Sequence, residues 1–162
     1  YGWKRSSGPP EVKWDMDGGG STPGTFCAER NAYISGNNGS VASPLKMSVV
    51  ATGSIEVSGN PFLVADHDDG IMFLAGGDLS ISGNPGAGTP NFQGLMYAGA
   101  QCKMSGNPDL FGQLMCANGA QPAGSVNITS SHDMSGNFTL TFDCSANVFN
   151  KRRVLFWYPR VG

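Results

Sequence analysis

Five copies of the tripeptide Ser-Gly-Asn, set at a nearly constant interval, constrain this chain more than any other feature. They are Ser35-Gly36-Asn37, Ser58-Gly59-Asn60, Ser82-Gly83-Asn84, Ser105-Gly106-Asn107 and Ser135-Gly136-Asn137, with steps of 23, 24, 23 and 30 residues. A fixed period of this length is the mark of a stacked repeat, in which no unit can bury its apolar face alone. Three copies continue into proline, at Pro61, Pro85 and Pro108. Glycine takes the positive φ of a sharp corner, Asn tolerates it, and a following proline returns the chain to an extended path. Stacked corners also allow a hydrogen-bonded ladder of Asn side chains.

Apolar residues alternate ahead of each corner: Ile55 and Val57, Leu79 and Ile81, Cys102 and Met104. A period of two is a strand signal. Farther upstream, each repeat has a second apolar run that ends in Ala, with Ala51, Ala75, Ala98 and Ala117 at one aligned position. A small residue repeated there predicts a narrow, tightly packed interior. Charged residues make up only 14% of the chain, and its 24 glycines are about twice the average share. These features predict an all-β fold: a single-domain parallel β-helix of about five coils, with strands stacked at roughly 4.8 Å. A right-handed crossover is the default for parallel strands. A leucine-rich repeat needs an L-x-x-L-x-L frame that the chain lacks, and a β-sandwich turns every 8 to 12 residues without one constant corner.

Residues 1–24 combine Gly, Pro and Ser without apolar periodicity, so they are expected to form an extended tail or linker ahead of a domain over 25–162. Trp3 and Trp14 stand out there, since two indoles suit docking on the domain or on a neighbouring subunit. The aromatic stretch Arg153-Val154-Leu155-Phe156-Trp157-Tyr158-Pro159 is expected to be a capping strand or a joint between subunits, because a stack's last unit leaves unpaired strand edges. Trp3, Trp14, Phe156, Trp157 and Tyr158 are therefore the expected assembly residues.

The segments GDLSISGNPGAG, QGLMYAGAQCKMSGNPDLFGQLMCANG and RRVLFWYPRVG resemble the C-terminal β-helical region of bacterial PilX-like, type IV pilus-associated surface proteins, over roughly residues 45 to 160. The resemblance implies a surface-exposed domain associated with pili or the cell envelope, with no catalytic constellation and no inherited site residue. Members of that group are usually anchored by an N-terminal pilin-like apolar helix, which is not seen in this sequence: either it was removed, or the resemblance is to the solenoid alone.

Other chemistries are weighed on the residues. A net charge of −2 supplies no general attraction for nucleic acid or an anionic membrane, and the one basic cluster, Lys151-Arg152-Arg153, is short. No run reaches the roughly 18 to 20 apolar residues of a membrane span. Asp66, Asp68 and Asp69, in Asp66-His67-Asp68-Asp69-Gly70, suggest a calcium loop but lack the full ligand frame, and a solvated loop is the simpler expectation. No other cofactor is expected. Ser131-His132-Asp133 spells a catalytic triad only in letters, since triads are spatial.

A carbohydrate-binding or carbohydrate-cleaving β-helix is the alternative function. It would need acids across a cleft or exposed aromatics such as Tyr97, Phe111 and Phe92. Ice binding would need a repeating Thr-x-Thr array, which is absent. The sequons at Asn38, Asn127 and Asn137 matter only in a eukaryotic secretory pathway.

Four cysteines, Cys27, Cys102, Cys116 and Cys144, lack C-x-x-C spacing and lean toward disulfides in an oxidising compartment. Matching positions one coil apart would permit a Cys116–Cys144 bond, leaving Cys27 and Cys102 to pair by elimination or to remain free thiols. The expected protein is an extracellular or cell-surface structural or adhesive module, not an enzyme. Its expected partners are further copies of itself or other pilus or surface subunits, and a glycan is a further candidate.

Overall fold

The computed structural model describes residues 3–8, 11–17, 22–84 and 90–142. Along the chain lie β1 (Trp3–Gly8), β2 (Glu11–Asp17), β3 (Gly24–Ala28), β4 (Asn31–Ser35), β5 (Leu45–Ala51), β6 (Ile55–Val57) and β7 (Leu63–Val64). They are followed by β8 (Ile71–Ala75), β9 (Leu79–Gly83), β10 (Phe92–Ala98), β11 (Cys102–Gly106), β12 (Asp109–Cys116), β13 (Asp133–Met134) and β14 (Thr139–Phe142). The protein is all-β, and no helix among the described residues is long and apolar enough to cross a membrane.

The expected five-coil β-helix is corrected. The strands form two seven-stranded sheets, one in the order β1-β2-β4-β6-β9-β11-β13 and the other in the order β14-β12-β10-β7-β5-β3, with β8 between β5 and β10. Each repeat holds two strand-forming runs, and successive runs alternate between the sheets. All pairs are parallel except the antiparallel hairpin β1–β2. That hairpin also replaces the expected N-terminal tail. A Gly, Pro and Ser composition predicts a loop only while no partner is near, and here β2 finds β4, setting Trp14 against Ala32 and Met16 against Ile34. The expected aromatic capping strand lies outside the described residues.

Register follows the corner spacing. Ile34 pairs with Val57, Val57 with Ile81, Ile81 with Met104, and Met104 with Met134. Ile34, Val57, Ile81 and Met104 join the inward residues of the opposite sheet in one apolar core. The small-residue column runs Ala28, Ala51, Ala75, Ala98 and then Cys116, so the last aligned position belongs to Cys116 and not to Ala117.

The glycines of the corners have a steric cause. Gly59 has φ of 90°, and a Cβ there would lie 2.5 Å from the carbonyl oxygen of Gly36 one repeat earlier. A Cβ at Gly136 would collide with the Gly106 carbonyl in the same way. Backbone thus stacks directly on backbone. The Asn residues of the corners do bond along the stack: Asn60 Oδ1 accepts the Asn84 N–H at 2.9 Å and Asn107 Oδ1 accepts the Asn137 N–H at 3.3 Å. The acceptors are side chains and the donors are backbone, so the ladder also holds the corner's conformation.

The long fourth step of 30 residues is a strap. Asn31, Ser54, Asp78 and Gln101 each precede an inward residue of the first sheet and form a polar column along one corner. Residues 124–132 run along this column. Asn31 Nδ2 donates to the Gly124 carbonyl at 3.2 Å, and Asn31 Oδ1 accepts the N–H groups of Ser54 and Val126 at 2.9 and 3.0 Å. Ser54 Oγ donates to the Val126 carbonyl at 2.6 Å and accepts the Asp78 N–H at 2.9 Å. Asp78, fully buried, accepts the Gln101 N–H on Oδ1 at 3.0 Å, and the Ile128 and Thr129 N–H groups on Oδ2 at 2.8 and 3.1 Å. The side chains of Asn31, Ser54 and Asp78 meet strap or corner backbone, which satisfies groups that burial would otherwise leave at a cost. Gln101 instead donates its Nε2–H to Asn118 Oδ1, and its buried Oε1 has no partner among the described residues.

Candidate functional site

The two ends of the stack differ, and the difference starts in the inward columns. In the first sheet Met16, Ile34, Val57, Ile81 and Met104 are at most 1% exposed, whereas Met134, next in register, is 47% exposed. In the second sheet Leu45, Leu63, Phe92 and Leu110 are at most 8% exposed, and the next residue, Leu140, is 42% exposed. Phe142 continues the column of Gly112 and is 62% exposed. Among the described residues no strand follows β13 or β14, and these side chains of core type stand exposed there. Covering the three would contribute on the order of 3 kcal/mol, and the outer edges of β13 and β14, unpaired among the described residues, add hydrogen-bonding groups that can recruit another strand.

The opposite end is closed on the first sheet by the β1–β2 hairpin. Trp14 extends the inward column of Ala32, Ile55, Leu79 and Cys102, and it packs against the core. Of its two expected roles, docking on the domain is what the structure contains. Trp3 pairs through its backbone with Met16. Phe156, Trp157 and Tyr158 lie outside the described residues.

The disulfide pairing differs from the expected one. Cys102 and Cys116 are bonded, with Cα atoms 5.9 Å apart and a separation of 14 positions in sequence. Cys116 takes the place after Ala98 in its column, and Cys102 begins the strand that follows the turn after Ala98. The two therefore meet across the narrow corner, one from each sheet, and Cys116 is unavailable to Cys144, which lies outside the described residues. Cys27 is a free, exposed thiol on β3, the edge strand of the second sheet.

His132 lies beside this bond and its Nδ1 accepts the Cys102 N–H at 3.1 Å. One ligand atom from each of Cys102, Cys116 and His132 lies within 4.8 Å of the others. At Ser131-His132-Asp133 the contacts involve backbone. His132 Nδ1 faces a backbone donor, the Ser131 carbonyl accepts Thr129 Oγ1–H at 2.7 Å, and Asp133 stands in register with Lys103.

The acidic loop is organised by Ser48. Its Oγ accepts the N–H groups of Asp66 and His67, both at 3.0 Å, while Asp66 Oδ2 accepts the hydroxyl of Thr25 at 3.1 Å. Asp69 N–H donates to His67 Nδ1 at 3.2 Å. Among the described residues Asp66, Asp68 and Asp69 do not gather their oxygens into one ligand set; the only group of three that does so is the cysteine–histidine one.

Of the aromatic residues considered for a glycan face, Phe92 is buried in the core, whereas half-buried Tyr97, in register with Met115, and exposed Phe111 lie on the outward side of the second sheet. Asn38 is buried and donates to the Ser35 carbonyl at 2.9 Å, while Asn127 and Asn137 are exposed.

Sequence reasoning missed the strap and the position of His132 against the disulfide. The longer step between the fourth and fifth corners was the available signal for the strap. No known protein family, curated protein or solved structure matches this chain.

Proposed function

We propose that the protein is a structural module of an extracellular, pilus-like or surface filament, and that it joins its neighbours end-on through β13 and β14. The observation that carries this reading is the run-out of the core columns at Met134, Leu140 and Phe142, where inward side chains reach the end of the stack uncovered. A contact there extends both sheets and both columns at once, combining strand pairing with apolar burial. Set head to tail, β13 and β14 of one subunit meet β1 and β3, the outer strands at the other end of the two sheets of the next, which is the geometry of open, heterologous growth. The disulfide supports an oxidising, extracellular setting.

The test is sedimentation velocity and negative-stain electron microscopy of the full chain over a concentration series, for the wild type and for Leu140→Asp with Phe142→Asp. The wild type is expected to grow into regular assemblies with concentration. The double variant is expected to stay monomeric with an unchanged near-ultraviolet spectrum. A wild type that remains monomeric throughout, or a double variant that assembles equally well, overturns the proposal.

A further inference from the structure

We propose that Cys102, Cys116 and His132 form a redox-gated site for a soft or borderline cation such as Zn²⁺ or Cu⁺, closed while the disulfide is present and open once it is reduced. The argument starts from the ligand set. Two sulfurs and an imidazole nitrogen already lie within 4.8 Å of one another, and tetrahedral zinc holds such ligands at about 2.3 Å for sulfur and 2.0–2.1 Å for nitrogen. Opening the S–S bond lets the sulfurs separate to the span that a shared cation needs. Thiolate and imidazole are the donors that select these metals over Ca²⁺ or Mg²⁺.

The surroundings give the site an inner wall and an open mouth. Cys102 is buried, Cys116 is half-buried and His132 is exposed, so a cation approaches from the histidine side and leaves a position for water. The two strands hold the sulfurs from opposite sheets, while the Cys102 N–H holds the imidazole through Nδ1. Metal binding through Nδ1 replaces that hydrogen bond with a coordinate bond and requires only a small rotation of an exposed side chain.

The chemistry balances with a thiol reductant. Two thiols of the reductant supply two electrons, the Cys102–Cys116 bond breaks, the two protein sulfurs take up two protons, and the reductant leaves as its own disulfide. A divalent cation then displaces both thiol protons and binds two thiolates and the imidazole, releasing two protons to solvent. Oxidation by a disulfide reverses the sequence and expels the metal.

The test uses the full chain in a Cys27→Ser, Cys144→Ser background, so that Cys102 and Cys116 are the sole thiol sources. The protein is titrated with Co²⁺ before and after reduction by a phosphine, and absorbance is recorded. The reduced protein is expected to show sulfur-to-cobalt charge transfer with the visible bands of a near-tetrahedral ion. The oxidised protein should show neither. His132→Ala should weaken binding by roughly tenfold or more and lower the visible intensity, while Asp133→Ala leaves both unchanged. The proposal is overturned by a reduced protein without the charge-transfer band, by equal binding in the oxidised form, or by a His132→Ala variant that binds as the parent does.

Discussion

Removing the Asp78 side chain tests whether the strap is held by a buried carboxylate or merely rests beside it. In Asp78→Ala three backbone donors, Gln101, Ile128 and Thr129, lose an acceptor now at 2.8–3.1 Å. Hydrogen bonds to charged groups contribute roughly 1.5–3 kcal/mol each, which sets a gross loss of about 5–9 kcal/mol. Two effects reduce it. The three donor residues are half-buried and can turn toward water, and deleting a fully buried carboxylate recovers part of its desolvation cost. A net destabilisation of about 2–4 kcal/mol remains, a large fraction of the 5–15 kcal/mol typical of a domain. Asp78→Asn is the sharper variant. Its amide keeps one acceptor but turns an NH₂ toward N–H groups on one side, so it should fall within about 1 kcal/mol of Asp78→Ala. Urea unfolding measures the loss, and native-state hydrogen exchange should show the Ile128 and Thr129 amides losing protection ahead of the β5 and β10 amides. A loss under about 1 kcal/mol for either variant, or unchanged exchange at Ile128 and Thr129, refutes the reasoning.

Two further predictions concern the corners and the staple. Gly59→Ala places a Cβ against the Gly36 carbonyl at a φ of 90°, and the conformation alone costs roughly 1–2 kcal/mol; urea unfolding should therefore show a loss of more than about 2 kcal/mol, and a fully tolerated alanine would remove the close-stacking explanation of the repeat. Replacing Cys102 and Cys116 by serine opens a loop of 14 residues and should lower stability by about 3 kcal/mol, read as a lower melting temperature, with intact mass before and after reduction verifying that the parent carries the bond.

What could be read from the sequence was register. The Ser-Gly-Asn steps match the strand partners, because a corner that needs glycine against glycine must recur wherever one backbone crosses the next. The inward residues Ile55, Val57, Leu79, Ile81, Cys102 and Met104 were legible for the same reason, through their alternation. The architecture was not. Periodicity counts the residues in a repeat but does not say how its strands divide between sheets, and two strands per repeat produced two seven-stranded sheets instead of a five-coil β-helix. Composition failed at residues 11–17, where Trp14 and Met16 join the inward columns, because a strand of this kind is made by its neighbour β4. The disulfide was missed by a small error in alignment: with Ala117 set beside Ala98, Cys116 could not be seen to inherit the inward column that brings it to Cys102.

The same column logic explains why the strap is where it is and why the stack changes character after it. Up to Cys116, each repeat closes its corner with a polar residue facing outward: Asn31, Ser54, Asp78 or Gln101. These groups are chemically unlike one another, so a neighbour that satisfied them through side chains would need a different partner at each level. Backbone solves the problem, since an extended segment offers N–H and C=O groups at regular intervals, and the strap meets Asn31, Ser54 and Asp78 in that order along the stack. Sixteen residues separate Cys116 from β13, against three between Ala98 and β11, and this added length is the return path. Having passed along the column, the chain reaches Cys102 again at His132 and resumes pairing at β13, one level beyond the disulfide. The bond thus lies between a body whose columns are filled and an end whose columns are open, and it clamps the two sheets at the last level where both are buried. A joint that recruits another subunit through β13 and β14 needs a rigid base of this kind, because edge strands that could part from their own sheets would lose the register a neighbour must match.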